Sequence, residues 1–535
     1  MSSRILIASL ALVIGLLLSW LLSSTPNEAK AAKPNSPITK NIIDPVGSNP
    51  KSDRKLTQSS DRDRAFDPNA VPYERIIAFS DEDDYRKFLK KLANSKLRHL
   101  GQIDALRAIR LGFDNLTDFD GLDLDPDQLD FNYSVTVPEL REVAPQDGLV
   151  GFGTSALEFL GITVDNSEWG RGVKIAIIDT GIEPHLALSD RIQHINLVEL
   201  AEGVEPNSHG TSVASLIAGT HPNMKGVAPA ADLISVRVAD ETGYSTSFLL
   251  AQGIIAATDA GAQLINISLG SQGDSTLVRQ AVEYATSRGA VIFASSGNEG
   301  SENASFPAGN ADVYSVGAVD ALGQHLNFSN TDDDLSFTAP GLEVRAAVPG
   351  DNITSFTGTS GSVAFPVGAV AAIMSESPTR ITAQAAVEIL QNYTNEAGSP
   401  GNDPQYGNGI INVGRVLQRD TPGIEDIAVA SQTFLFPTEN NPSGGLQVSV
   451  ENRGTEPLYQ STVEIDIAGD RYPVSIQVLQ PNERRVITIP TGLNTLQNQG
   501  QLNVKSDVNL NDGSRDAQPA NDQRDEVITL PDSGT

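Results

Sequence analysis

Five short apolar runs constrain the fold of this chain more than any other feature. Val173–Ile178, Leu233–Val238, Leu264–Leu269, Val291–Ser295 and Ser315–Val319 are close to continuous in apolar or small residues. A strand with one wet face alternates apolar and polar residues, whereas a strand without alternation is covered on both faces, as in parallel sheets flanked by helices. Helical patterns lie between these runs at His209–Ala218, Phe248–Ala260 and Leu277–Arg288, and after them at Gly361–Met374 and Thr382–Asn392. The expected fold is therefore α/β, a doubly wound, mostly parallel sheet occupying residues 149–420. Ligands of such a sheet bind beyond the carboxyl ends of its strands, so polar residues placed there carry the functional argument.

Smaller units are expected on either side. Residues 73–148 read as a β-α-β-α-β module of the split βαβ kind, with strands at Arg75–Phe79, Ile103–Leu111 and Asn132–Val137 and helices at Asp84–Ala93 and Leu116–Leu122. From Ile424 helical patterns vanish. Short alternating segments at Gln447–Glu451, Thr462–Ile467, Val474–Leu479, Arg485–Ile489, Gln501–Ser506 and Glu526–Leu530 describe an all-β sandwich over residues 424–535. At the other end, Arg4 precedes a run from Ile5 to Leu22 that is apolar but for Gly15 and the two serines Ser9 and Ser19, with a small-x-small site at Ala29-Lys30-Ala31. Residues 1–32 thus read as a signal peptide or a membrane anchor, and either places the rest outside the cytoplasm. Residues 33–72 are rich in Pro, Ser, Asn and Asp, as in a solvated linker. The formal charge of −30 argues against nucleic-acid binding, and the lack of any cysteine excludes disulfides and thiolate chemistry.

Four residues stand where the sheet would present its chemistry. Asp179 follows the run VKIAII directly, a position for a ribose acceptor, a metal ligand or an orienter of histidine. An aspartic-protease reading of Asp179-Thr180-Gly181 needs a second such aspartate, and the chain has none. His209 opens the helical pattern HGTSVASLIAG, where a histidine is otherwise a cap or core group. Asn298 lies on a glycine-rich turn after another apolar run. Its amide can donate to a developing oxyanion, or the residue can simply tolerate left-handed backbone. Ser360, in Gly358-Thr359-Ser360, stands at the mouth of a helix of small residues, where backbone N–H groups point outward. His99, His185, His194, His221 and His325 have no comparable setting.

Taken together, IAIIDTGIEPH, SHGTSVASLIAG, INISLG, SSGNEG and TGTSGSVAF, in the chain order Asp, His, Ser, resemble the subtilase family of subtilisin-like serine proteases from Phe152 to Leu417. The resemblance implies a serine endopeptidase with Ser360 as nucleophile, His209 as general base and then acid, and Asp179 orienting the imidazole. It also implies an oxyanion hole made by Asn298 and the Ser360 N–H. Ser268, Leu269 and Gly270 would pair with an extended protein or peptide substrate. Ser305, before Phe306-Pro307-Ala308, would floor the primary specificity pocket and leave room for a large apolar side chain. Residues Tyr73–Glu139 resemble an inhibitory propeptide, removed by cleavage within Leu140–Gly148, and the C-terminal unit resembles adhesion-type sandwiches. The catalysis needs no cofactor. Structural calcium is compatible with the acidic surface, although Gly219–Val227 is shorter than the calcium-binding loop of many relatives.

Two alternatives stay open at this level. Gly361-Ser362-Val363-Ala364 follows the serine where the family has a larger residue and then Ala-x-Pro, and Pro366 comes two residues late, which makes Ser362 a rival nucleophile. The rival function is a surface binding protein that uses the C-terminal sandwich on an inactive protease scaffold.

Overall fold

The computed structural model describes residues 67–124, 128–138, 148–200, 202–436, 445–511, 513 and 515–529. The apolar run Ile5–Leu22, most of the linker and most of the expected cleavage stretch lie outside the described residues.

The N-terminal module is built on β1 (Glu74–Ala78), α1 (Glu82–Leu92), β2 (Arg98–Ile103), β3 (Ala108–Gly112) and β4 (Leu129–Asp130), with the antiparallel order β2-β3-β1-β4. Asp81 caps α1 by accepting from the N–H groups of Asp83 and Asp84, and the helix buries Tyr85, Phe88 and Leu92 on the sheet. The expected β-α-β-α-β order is corrected in three places. The stretch read as one strand is a hairpin, because Asp104–Leu106 forms a 3₁₀ turn closed by Arg107 in left-handed backbone (φ 49°). Leu116–Phe119 is also 3₁₀ rather than an α-helix. The last expected strand leaves this sheet: β5 (Ser134–Thr136) pairs antiparallel with residues 244–246 of the next unit.

In the central unit β6 (Lys174–Asp179), β7 (Ile192–Asn196), α2 (His209–Ala218), β8 (Asp232–Arg237), β9 (Tyr244–Thr246), α3 (Ser247–Asp259), β10 (Leu264–Ile267), α4 (Thr276–Thr286), β11 (Val291–Ser295), β12 (Tyr314–Val319) and β13 (Phe337–Pro340) follow in order. Seven of these strands form one parallel sheet, β13-β12-β11-β10-β6-β8-β7. The five apolar runs supply its middle. The two edge strands were not foreseen: β7 (IQHIN) is largely exposed and β13 (FTAP) is four residues ending in proline, a residue suited to an edge. β6 shows why its run does not alternate. Ile175 and Ile177 enter a core shared with α2 and the helix α6 (Ala364–Glu376), while Ala176 and Ile178 enter a second core under α3 and α4. The expected helix from Gly361 is instead two pieces, α5 (Thr359–Ser362) and α6. Pro366 falls in the first turn of α6, where a missing N–H costs no intrahelical bond. α7 (Ala383–Asn392) packs behind them.

The N-terminal module docks on the two exterior helices. Asn132, fully buried, accepts from the Phe248 N–H and the Ser247 hydroxyl (both 3.1 Å) at the start of α3. Asp130 accepts from the Thr276 N–H (3.0 Å) at the start of α4. Each satisfies a donor that a helix N-terminus leaves unpaired.

The C-terminal unit is a sandwich of β14 (Ile427–Leu435), β15 (Gly445–Asn452), β16 (Leu458–Ile467), β17 (Asp470–Leu479), β18 (Arg484–Ile489), β19 (Gln501–Leu510) and β20 (Gln523–Thr529). Its antiparallel sheets run β14-β15-β18 and β17-β16-β19-β20. The sequence pattern missed β14, which is buried on both faces and so does not alternate, and α8 (Leu493–Gln499), a short helix between Gly492 and Gly500. A buried charge cluster joins this unit to the central one. Glu451 on β15 bonds Arg415 of the 413–418 helix (2.8 Å) and Arg453 (3.0 Å), and Arg484 bonds Glu396 (2.5 Å). Burial alone would raise the Glu451 carboxyl, but the surrounding guanidiniums outweigh it and hold the group down at about 2, against an ordinary 4.5. A depressed carboxyl contributes stability that is present above the ordinary value and lost as pH falls toward the folded one. Glu451→Gln should therefore lower stability at neutral pH by about 3–5 kcal/mol. It should also flatten the loss between pH 4.5 and 2, read by calorimetric unfolding across that range.

Candidate active site

Asp179 ends β6 with its side chain fully buried, and both carboxylate oxygens lie 2.9 Å from Nδ1 of His209. One of them also accepts the Thr180 N–H at 2.7 Å. A carboxylate oxygen accepts, so Nδ1–H is the donor in this contact, and in a neutral imidazole Nε2 then carries the lone pair. His209 is the first residue of α2, and the start of that helix is clamped to the turn after β6. Its own N–H donates to Asn207 (3.0 Å) and the Gly210 N–H donates to the Thr180 hydroxyl (3.1 Å). Gly210 is a close-approach glycine: a Cβ there would lie 2.2 Å from the Gly181 carbonyl oxygen. Phe356 packs against the imidazole with ring centroids 5.3 Å apart. Nε2 has no hydrogen-bond partner among the described residues.

Ser360 lies in α5, which runs on into α6, and α6 shares its core with the His209 helix α2. Its hydroxyl donates to the Ser268 carbonyl (3.2 Å), and the Ser268 hydroxyl donates back to the Ser360 carbonyl (3.1 Å). Ser362 faces elsewhere: its hydroxyl lies 3.5 Å from the Gly358 carbonyl, against the Gly341 backbone. Asn298 follows β11, and its side-chain oxygen accepts both the N–H (3.0 Å) and the hydroxyl (2.8 Å) of Thr359. With the oxygen fixed, the amide nitrogen is a donor with no hydrogen-bond partner among the described residues, next to the Cα of Gly358. That glycine has φ 144°, and a Cβ on it would lie 3.0 Å from that nitrogen. In the first turn of α5 the Ser360 N–H has no carbonyl one turn back to bond.

The strand-pairing residues separate. Ser268 and Leu269 are buried, while Gly270 pairs through both backbone groups with Thr136 of the chain's own N-terminal module (3.0 and 3.1 Å). Ser305 borders a cavity of about 390 Å³ beside Gly270, Ser295, Gly297, Glu299 and Pro138. Sequence reasoning missed Glu299, whose carboxylate accepts from Asn330 (2.9 Å) and from the Ser305 hydroxyl (3.4 Å), and Thr359, which fixes Asn298. Adjacency to Asn298 and to Ser360 was the available signal for each. The short loop after α2 is a hairpin pairing Thr220–His221 with Met224–Lys225. Among the described residues no group of three or more His, Asp or Glu side chains is placed to hold a metal ion.

Residues 170–409 match the model of the Subtilase family, a span that contains Asp179, His209, Asn298 and Ser360. An alkaline protease of Shouchella clausii is 34% identical over 297 residues, 55% of this chain and 75% of that protein. Subtilisin Savinase of Lederbergia lenta is 36% identical over 245 residues, 45% of this chain and 90% of that protein. Among solved structures, fervidolysin of Fervidobacterium pennivorans, described as a keratinolytic enzyme related to subtilisin, aligns over 82% of this chain and 71% of its own with a TM-score of 0.56. At 20% identity, that likeness concerns the fold.

The clamp at Gly210 makes a direct prediction. Gly210→Ala must push the start of α2 off the Gly181 carbonyl and move His209 on Asp179, so kcat should fall by about 10²-fold with KM little changed. Steady-state kinetics on a peptide substrate read this, and an unchanged kcat would contradict the clamp.

Proposed function

This chain belongs to the subtilase family and is a subtilisin-type serine endopeptidase, and we propose that Ser360, His209 and Asp179 carry its chemistry. The observation that supports this reading is the pairing of a buried carboxylate with Nδ1 of an imidazole whose Nε2 has no partner among the described residues, at the sheet end that also presents Ser360. In the reaction the Ser360 hydroxyl gives its proton to Nε2 and attacks the substrate carbonyl. Asp179 stabilises the imidazolium that forms. The Asn298 amide and the Ser360 N–H receive the oxyanion. His209 then protonates the leaving amine, and water hydrolyses the acyl-enzyme by the same steps in reverse. None of this needs a cofactor, and the reading of an inactive scaffold has no observation behind it.

Substrate is proposed to bind as an extended strand beside Gly270, in the manner of Thr136. The cavity at Ser305 has room for a large side chain before the scissile bond, and the Glu299 carboxylate on its wall disfavours an acidic one. A peptide library should show cleavage after Phe or Leu well above cleavage after Asp, and equal rates would remove this specificity. The N-terminal module is read as an inhibitory propeptide and residues 1–32 as an export signal or anchor. N-terminal sequencing of protein recovered outside the cell checks both. Among the described residues no helix is long and apolar enough to cross a membrane.

The nucleophile is tested by paired variants. Ser360→Ala should abolish turnover, while Ser362→Ala, which loses only a 3.5 Å contact inside the scaffold, should keep most of it. The reverse result refutes the assignment.

A further inference from the structure

The strand β5 occupies the place proposed for substrate, and its register fixes which residue meets the nucleophile. Thr136 exchanges both backbone hydrogen bonds with Gly270, and on its other side Val137 donates to the Gly243 carbonyl (2.9 Å). In an antiparallel ladder such hydrogen-bonded pairs recur every second residue, so continuing this register past the isolated bridge of Thr136 and Gly270 would bring Pro138 opposite Ser268. A residue in that position would give its N–H to the Ser268 carbonyl. Pro138 has no N–H to give. The Ser268 carbonyl instead accepts the Ser360 hydroxyl, the proton that His209 must take. Pro138 also borders the cavity of about 390 Å³ beside Ser305 and Glu299, which its short ring does not fill.

Taking the N-terminal module as inhibitory, we propose that its strand Ser134–Pro138 is cut poorly by the chain's own active site because Pro138 leaves the Ser360 hydroxyl on the Ser268 carbonyl. The inference rests on the reading of the N-terminal module as inhibitory. Three physical effects act together. A substrate with an N–H at this position displaces the Ser360 hydroxyl from Ser268 and frees it for Nε2 of His209, and proline does not. The fixed φ of proline, near −65°, holds its carbonyl away from the extended geometry the strand otherwise follows. The unfilled cavity leaves the residue unanchored, so the carbonyl is not held in an attack position. The bond between Pro138 and Glu139 is therefore a poor site for self-cleavage. Removal of the module within Leu140–Gly148 then requires the strand to slip or leave first, or a second protease molecule to make the cut.

Giving the strand an N–H and a larger side chain should convert inhibitor to substrate. In Pro138→Leu, Ser360 Oγ would bond to the carbonyl carbon of residue 138 and pass its proton to His209. The imidazolium would return that proton to the nitrogen of Glu139 as the C–N bond breaks, and water would release the ester. Full-length wild type, Pro138→Leu and Pro138→Ala, each with and without Ser360→Ala, are followed by intact mass and N-terminal sequencing. Uncut chains are also exposed to a fluorophosphonate probe. The expected results are no product beginning at Glu139 from wild type and at least a tenfold faster cut there in Pro138→Leu. Pro138→Ala should be intermediate, every such cut should be lost with Ser360→Ala, and the probe should be excluded from uncut wild type. A wild-type product beginning at Glu139, or cut rates unchanged in both proline variants while the probe is still excluded, overturns the role of Pro138. Probe reaction with uncut wild type as fast as with the mature enzyme instead overturns the inhibitory reading on which it rests.

Discussion

An imidazole can take a proton from serine only while its far nitrogen is held and its near nitrogen is free. In this chain the buried carboxylate of Asp179 does the holding, with both oxygens 2.9 Å from Nδ1 of His209. That contact sets demands on everything around it. Asp179 must end the strand at the middle of a parallel sheet, which requires β6 to be covered on both faces by two separate cores. The helix carrying His209 must start within hydrogen-bonding reach of that strand end, which requires glycine at 210 and the threonine and asparagine contacts that seat it. Ser360, the proposed nucleophile, and Asn298, the proposed oxyanion donor, are tied to each other at this sheet end through Thr359.

The same edge carries a strand of the chain itself: Gly270 pairs through both backbone groups with Thr136, within residues 134–137. The N-terminal module is anchored independently by Asn132 and Asp130 at the starts of two helices, so the strand is held in register rather than drifting through the cleft. Whether such a strand is cut depends on small features, a backbone N–H and the fit of one side chain. Proline removes the first and reduces the second.

Much of this was legible in the sequence, for a physical reason. Strands covered on both faces must be apolar without interruption, so β6, β8, β10, β11 and β12 announce themselves, and a polar residue directly after such a run, such as Asp179, has little to do there except chemistry. The edge strands gave no such signal: β7 is largely exposed, and β13, although buried, is only four residues long and ends in proline. Ile103–Leu111 reads as one strand because the reversal it contains, between β2 and β3, rests on a single left-handed residue, Arg107, without glycine. The motif of Ser268 points to backbone pairing with substrate, and in the fold its buried side chain also bonds the Ser360 carbonyl, a contact that depends on the packing of two distant segments. The position of Pro138 could not be read at all, because it depends on a pairing between Thr136 and Gly270, far apart in the chain.

The central claim is that one serine, Ser360, is made nucleophilic by His209 held on Asp179. The most direct measurement is to react the mature enzyme with a fluorophosphonate and locate the adduct by peptide mass spectrometry with fragmentation. The account predicts one adduct per chain, on Ser360, abolished by His209→Ala and unaffected by Ser362→Ala. An adduct on Ser362, or undiminished labelling without His209, would contradict it.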